Sequence, residues 1–150
     1  MMAAAIQHAE TTFAAAPVFE ERARRGTTVL VPTARHARLA GLLEAATGAK
    51  VLPEGTEVID CTDAGCAPAF DGLTITRVGF ESDPGIADGR PLFWVRWLEP
   101  SGGRSVATRS QSLDLRLEGS TWVVGAVLSE GWATMIPRPA ATGARDGAVR

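Results

Sequence analysis

The chain has 150 residues, of which 45% are hydrophobic and 21% charged, a balance that supports one compact domain with its own core. Its formal charge of -2 at pH 7 and pI near 5.7 speak against a phosphate-driven nucleic-acid binder, because such domains carry a basic surplus. Fourteen arginines stand against a single lysine, Lys50, which together with abundant Ala and Gly reads as the compositional bias of a GC-rich coding sequence.

The segment Met1 to Glu10 has no basic stretch leading into a sustained apolar run, and no uncharged apolar run nears membrane-spanning length. A cytoplasmic chain without membrane contact is therefore expected. Ile6, Ala9, Phe13 and Ala16 recur near helical spacing and predict a helix over 3–15, broken or restarted at Pro17, with a short second helix ending at Gly26. Thr27 to Val31 is short and β-branched, and reads as an extra strand or a buried linker. Thr33 is placed to cap a helix with the apolar stripe Leu39, Leu42, Leu43 and Ala46, terminated by Gly48. That stripe is expected to lie on the concave face of a sheet.

From Lys50 to Asp71 the pattern weakens to an extended piece at 57–60 followed by a loop. Four strands then follow in a row, Leu73 to Phe80, Pro91 to Leu98, Val106 to Leu117 and Trp122 to Leu128, each alternating in polarity and bounded by Gly, Pro, Ser or Asp. Their spacing suits antiparallel pairing. The stretch after Ile136 is rich in Pro, Ala and Gly without an apolar period, so a single domain over 1–136 and a disordered tail over 137–150 are expected. The fold class that results is α+β, with N-terminal helices packed on a curved antiparallel sheet of four to six strands.

Within the second strand Phe93, Val95 and Trp97 share one side, and Leu92, Trp94, Arg96 and Leu98 the other. A strand apolar on both sides is expected to be covered on both, by helices on one and by a partner subunit, a loop or a folded-over sheet on the other. Arg96 and Arg109 are the charges within strands and, with Asp114, are candidates for an internal ion pair or a polar patch. An arginine in a strand more commonly points to solvent with its stem over a neighbour. His36 and Asp60 are weaker candidates, since a histidine beside an apolar stripe is usually a boundary residue and an aspartate before a turn usually a cap.

Cys61 and Cys66 lie across a Gly-containing turn whose spacing permits a local disulfide. With no export signal read, reduced thiols are expected. Asp60, Cys61, Asp63 and Cys66 supply one cysteine pair where a structural zinc site needs four ligands, so no metal and no cofactor are expected. A nucleophile elbow and a phosphate loop are both missing from the sequence, and Gly102, Gly103 and Arg104 fall in a hairpin turn.

Helices first, a leucine-striped helix next, then an antiparallel run ending in Gly119-Ser-Thr-Trp-Val-Val-Gly125: this order, and Trp122-x-Val124 after a short turn, resembles the nuclear-transport-factor-2-like (SnoaL-like) superfamily over roughly residues 3 to 135. The resemblance implies a curved, cone-shaped sheet around the helices, a pocket inside the cone, and frequent dimerisation through the sheet. It divides Trp94, Trp97 and Trp122 between pocket and interface. The tyrosine of its isomerases has no counterpart in a chain without Tyr. The favoured expectation is a non-catalytic module that forms a homodimer or docks a protein partner through a tryptophan-rich sheet face. An alternative is a small-molecule isomerase, cyclase or hydrolase taking a small apolar ligand, with Asp114, Asp60 or His36 as acid or base and Arg96, Arg109, Trp94, Trp97 and Trp122 lining the site. A component of a larger particle is the third.

Overall fold

A computed structural model describes residues 1–82 and 91–135. The expected tail over 137–150 lies outside the described residues. Helix α1 (Met2–Ala15) leads through a 3-10 turn (Pro17–Phe19) and α2 (Glu20–Ala23) into β1 (Thr27–Val31), α3 (Thr33–Thr47) and β2 (Lys50–Pro53). A small hairpin follows, β3 (Ile59–Thr62) and β4 (Gly65–Pro68). The chain then runs through β5 (Leu73–Ser82), β6 (Pro91–Ser101), β7 (Ser105–Glu118) and β8 (Thr121–Met135).

The class is α+β, with helices on a mostly antiparallel six-stranded sheet of order β2-β1-β5-β6-β7-β8 and the β3–β4 hairpin as a second, two-stranded sheet. Strands β5 to β8 form the expected meander, and β8 runs on to Met135, past the expected end at Leu128. What alternation did not show is the parallel part. β1 pairs parallel with β2 on one side and with β5 on the other, and α3 carries the chain from β1 to β2 as a βαβ crossover. The ambiguous segment at Thr27 is thus an interior strand, with four consecutive residues from Thr28 to Val31 buried, as suits a strand covered on both faces. β2 escaped notice because Val51 is the sole buried residue among its four and Pro53 ends it.

Helix α1 buries Ala5, Ile6, Ala9 and Phe13, one stripe at helical spacing, against Val29, Ile75, Val95 and Trp97 of the sheet. The alanines let the helix approach closely, and Phe13 also stacks on Phe19 with ring centroids 4.7 Å apart. Each large side chain here, such as Ile6, Phe13 or Ile75, contributes about 1.5–3 kcal/mol by leaving water.

Helix α3 corrects two expectations. Thr33 is its first residue, not its cap: Pro32 holds the cap position, and the Thr33 hydroxyl donates to the Glu54 carbonyl at 3.2 Å. Of the expected stripe, Leu43 is buried and Leu39 half-buried, whereas Leu42 is 70% exposed and Ala46 is exposed. The packed side is His36, Leu39, Ala40, Leu43 and Thr47, a stripe turned about 100° from Leu42, as neighbouring residues in a helix are. Gly48 ends the helix as expected, at φ +72 in the left-handed region.

The cysteines are a third correction. Cys61 and Cys66 face each other across the β3–β4 ladder and form a disulfide, so the expected reduced thiols are not what the fold contains. The hairpin register brings the two residues opposite, where a cross-strand bond closes. This hairpin folds over the sheet face away from α1, where Cys66 packs with Leu98 and Val106 beside Val58 and Ile59. β6 is therefore covered on both faces at that end, by α1 on one and by the folded-over hairpin on the other.

Candidate functional site

Cross-strand partners share a face, so the register places Trp97, Arg109 and Trp132 together on the α1 side of the sheet, with Val95, Gln111 and Glu130 in the next row. Farther along the same face come Phe93, Leu113 and Val127, then Leu115 with Val124, then Leu117 with Trp122. Strict alternation cannot keep Trp122, Val124, Val127, Glu130 and Trp132 on one side. Two irregularities in the β7–β8 ladder, at Gly125 and Leu128, each insert a residue into β8 and restore the face.

Arg109 is the centre of this face. Its guanidinium lies 5.4 Å from the Trp97 ring and 4.6 Å from that of Trp132. Nη2 is 2.8 Å from Glu130 Oε1, and Nη1 is 3.6 Å from Glu99 Oε1. Glu99 is buried, and the indole N–H of the fully buried Trp97 donates to it at 2.9 Å. Gln111 donates its amide N–H to Glu130 at 2.7 Å. Its amide oxygen is thereby left to accept from Nε2–H of His8, 2.8 Å away on α1, which sets the imidazole tautomer. Burial pushes the Glu130 carboxyl up, but hydrogen bonds from Gln111, Arg109 and Trp132 and the Arg109 charge outweigh it, and the group is held below its ordinary value of 4.5.

Chemically, this cluster is satisfied. One guanidinium is shared between two carboxylates and two aromatic faces, with neither a nucleophile nor an uncommitted base among its members. Its effect is to fix the Trp132 ring over Arg109 while 58% of that residue remains exposed. Beyond it the β7–β8 ribbon exposes Leu117 of β7 and Trp122, Val127 and Leu128 of β8, with 37% of Trp122 and 55% of Leu128 open to solvent. The product is an edge strand carrying an aromatic stacked on Arg109 and an apolar ribbon.

The remaining sequence candidates are spread over the molecule. Arg96 lies on the opposite sheet face from Arg109, where its Nε donates to Ser110 at 3.1 Å. Trp94 shares that opposite face, and its buried indole N–H has no hydrogen-bond partner among the described residues. Asp114 pairs with Arg116 of its own strand at 2.8 Å, not with Arg96 or Arg109. Asp60 is exposed in the disulfide hairpin, and His36 is a boundary residue of α3 within 3.2 Å of the Val51 carbonyl. The sulfurs of Cys61 and Cys66 are bonded to each other and offer no thiolate to a metal. Sequence reading missed Glu99, Glu130, Trp132 and His8. Trp132 and Glu130 fell beyond the expected end of their strand, and only the alignment of β7 with α1 joins His8 to Gln111. No protein-family model, curated protein or solved structure matches this chain.

Proposed function

We propose that this chain is a binding and assembly module that pairs with a second copy of itself along β8. The carrying observation is that the sheet ends on a fifteen-residue edge strand whose outer side has no partner among the described residues, and whose one charge, Glu130, is already neutralised by Arg109. Edge strands of soluble proteins are ordinarily guarded by charge, proline or cover, because an open row of N–H and C=O groups invites pairing. Among the described residues no such guard covers the outer side of β8, and the flanking surface is apolar. An antiparallel edge is self-complementary about a twofold axis, so a second copy meets both its hydrogen bonds and its apolar side chains. Dimerisation through the sheet is frequent in the nuclear-transport-factor-2-like proteins that the sequence resembles, and the cone-shaped architecture of that superfamily belongs to the same proposal.

Native mass spectrometry with light scattering over a concentration series tests this. The expected result is a dimer that dissociates on dilution, with Leu128→Lys and Trp132→Ala each weakening it roughly tenfold or more. A monomer at every concentration, or a dimer that both variants leave intact, would overturn the proposal. A purified complex with a different protein seated on β8 would replace the second copy by that partner.

A further inference from the structure

At the opposite end of the sheet from β8 the strands leave a notch. β1 stops at Val31, while β5 runs on to Ser82, paired with β6 on one side but, among the described residues, with no strand on its β1 side after the Val29–Ile75 pair. From β1 the chain crosses outward to β2, and from β5 it turns the other way to β6. The space outside the carboxyl end of β1 is therefore a topological switch point, the place where sheets with parallel neighbours leave a crevice. Here it is a cavity of about 360 Å³, large enough for a small metabolite. Leu30, Val31 and Pro32 form one wall and residues 76–80 of β5 the other. The space beside Gly79 in the second wall is open, since a Cβ there would meet nothing within 4 Å.

Three arginines from three elements converge on this cavity: Arg35 from α3, Arg77 from β5 and Arg96 from β6. Like charges gather only when something holds them. Glu81 does so, with one carboxylate oxygen 3.6 Å from Arg77 and 3.8 Å from Arg96, distances that give charge attraction without a hydrogen bond. That oxygen is buried and has no hydrogen-bond partner among the described residues. Among the described residues Arg77 makes no hydrogen bond, and Arg96 donates there through Nε alone, to Ser110. Glu54 also lines the rim, so among the described residues three cations face two carboxylates across the notch. The first turn of α3 adds to the positive field, since it carries Arg35 where helices favour acidic residues.

We propose that this notch binds a compact oxyanion, the phosphate or carboxylate group of a small metabolite, held by Arg35, Arg77 and Arg96. Planar guanidinium forks suit both groups.

Isothermal titration calorimetry of the full chain at low ionic strength tests it, with inorganic phosphate, phenyl phosphate and acetate as probes. At least one is expected to bind saturably with one site. Arg35→Gln and Arg77→Gln are each expected to weaken it by roughly tenfold to a hundredfold, the worth of one charge-assisted contact. Arg24→Gln, in an exposed pair with Glu20, leaves binding unchanged. Arg35 is exposed on a helix, so its variant keeps the fold, and circular dichroism checks this. Binding of phosphates alone assigns a phosphate ester, and binding of acetate as well assigns the wider oxyanion class. No saturable binding of any probe, or wild-type affinity in both arginine variants, would overturn the site.

Discussion

Two residues show how narrow the local tolerances are. A Cβ on Gly72 would stand 1.9 Å from the Gly26 carbonyl oxygen, because Leu73 N–H donates to that same carbonyl at 3.0 Å to start the β1–β5 pairing. Gly72→Ala is expected to force the strands apart and cost about 1–3 kcal/mol in urea unfolding. Glu130 works by charge. Its folded pKa is depressed, so its contribution to stability is complete above the ordinary value of 4.5 and is lost as pH falls through the folded value. Unfolding measured from neutral to acid pH should show wild type losing stability below that point, and Glu130→Gln lacking this part of the loss. Among the site candidates, Trp97 and Arg109 were legible as residues because they interrupt or dominate an alternating pattern. Their partners were not, since Glu99 reads as a strand end and His8 as an ordinary helix position.

The elements differ in how openly they announce themselves. β5 to β8 were readable because period-two alternation over seven residues or more, bounded by turn residues, is a strong local signal, although the insertions in β8 hid its second half. β2 is four residues long and half-buried, and no local pattern distinguishes it from a linker. The stripe on α3 was misplaced by one residue because Leu42 and Leu43 are equally apolar, and only contact with β2 and α1 selects Leu43. The β3–β4 hairpin is held by its cross-strand disulfide, and the few residues between Cys61 and Cys66 imply about 2 kcal/mol from loop closure. Reduction, or Cys61→Ser with Cys66→Ser, is expected to lower stability by that order in denaturant unfolding. It should also uncover Leu98 and Val106, read as increased binding of a hydrophobic dye.

For the molecule as a whole, β1 and β5 lie inside the sheet, with β2 and β8 at its edges. Hydrogen exchange should therefore be slowest in β1, β5 and β6, which α1 covers, and fast along the outer side of β8 in dilute protein. Raising the concentration is expected to slow the β8 amides selectively if a second copy pairs there, and uniform exchange at both concentrations would count against that pairing. The sequence by itself determined the α+β class, the α1 stripe, the Gly48 stop and the four-strand meander, because each is written in residues close together in the chain. Tertiary structure alone decided the parallel placing of β1 between β2 and β5, the closing of the cysteine pair, and which charges meet. It sets Arg109 with Glu99 and Glu130 on one face, and Arg35, Arg77 and Arg96 around the notch at the other end. Those meetings join residues far apart in the chain and depend on register, the Arg109 cluster also on the two β8 insertions, and local patterns encode neither.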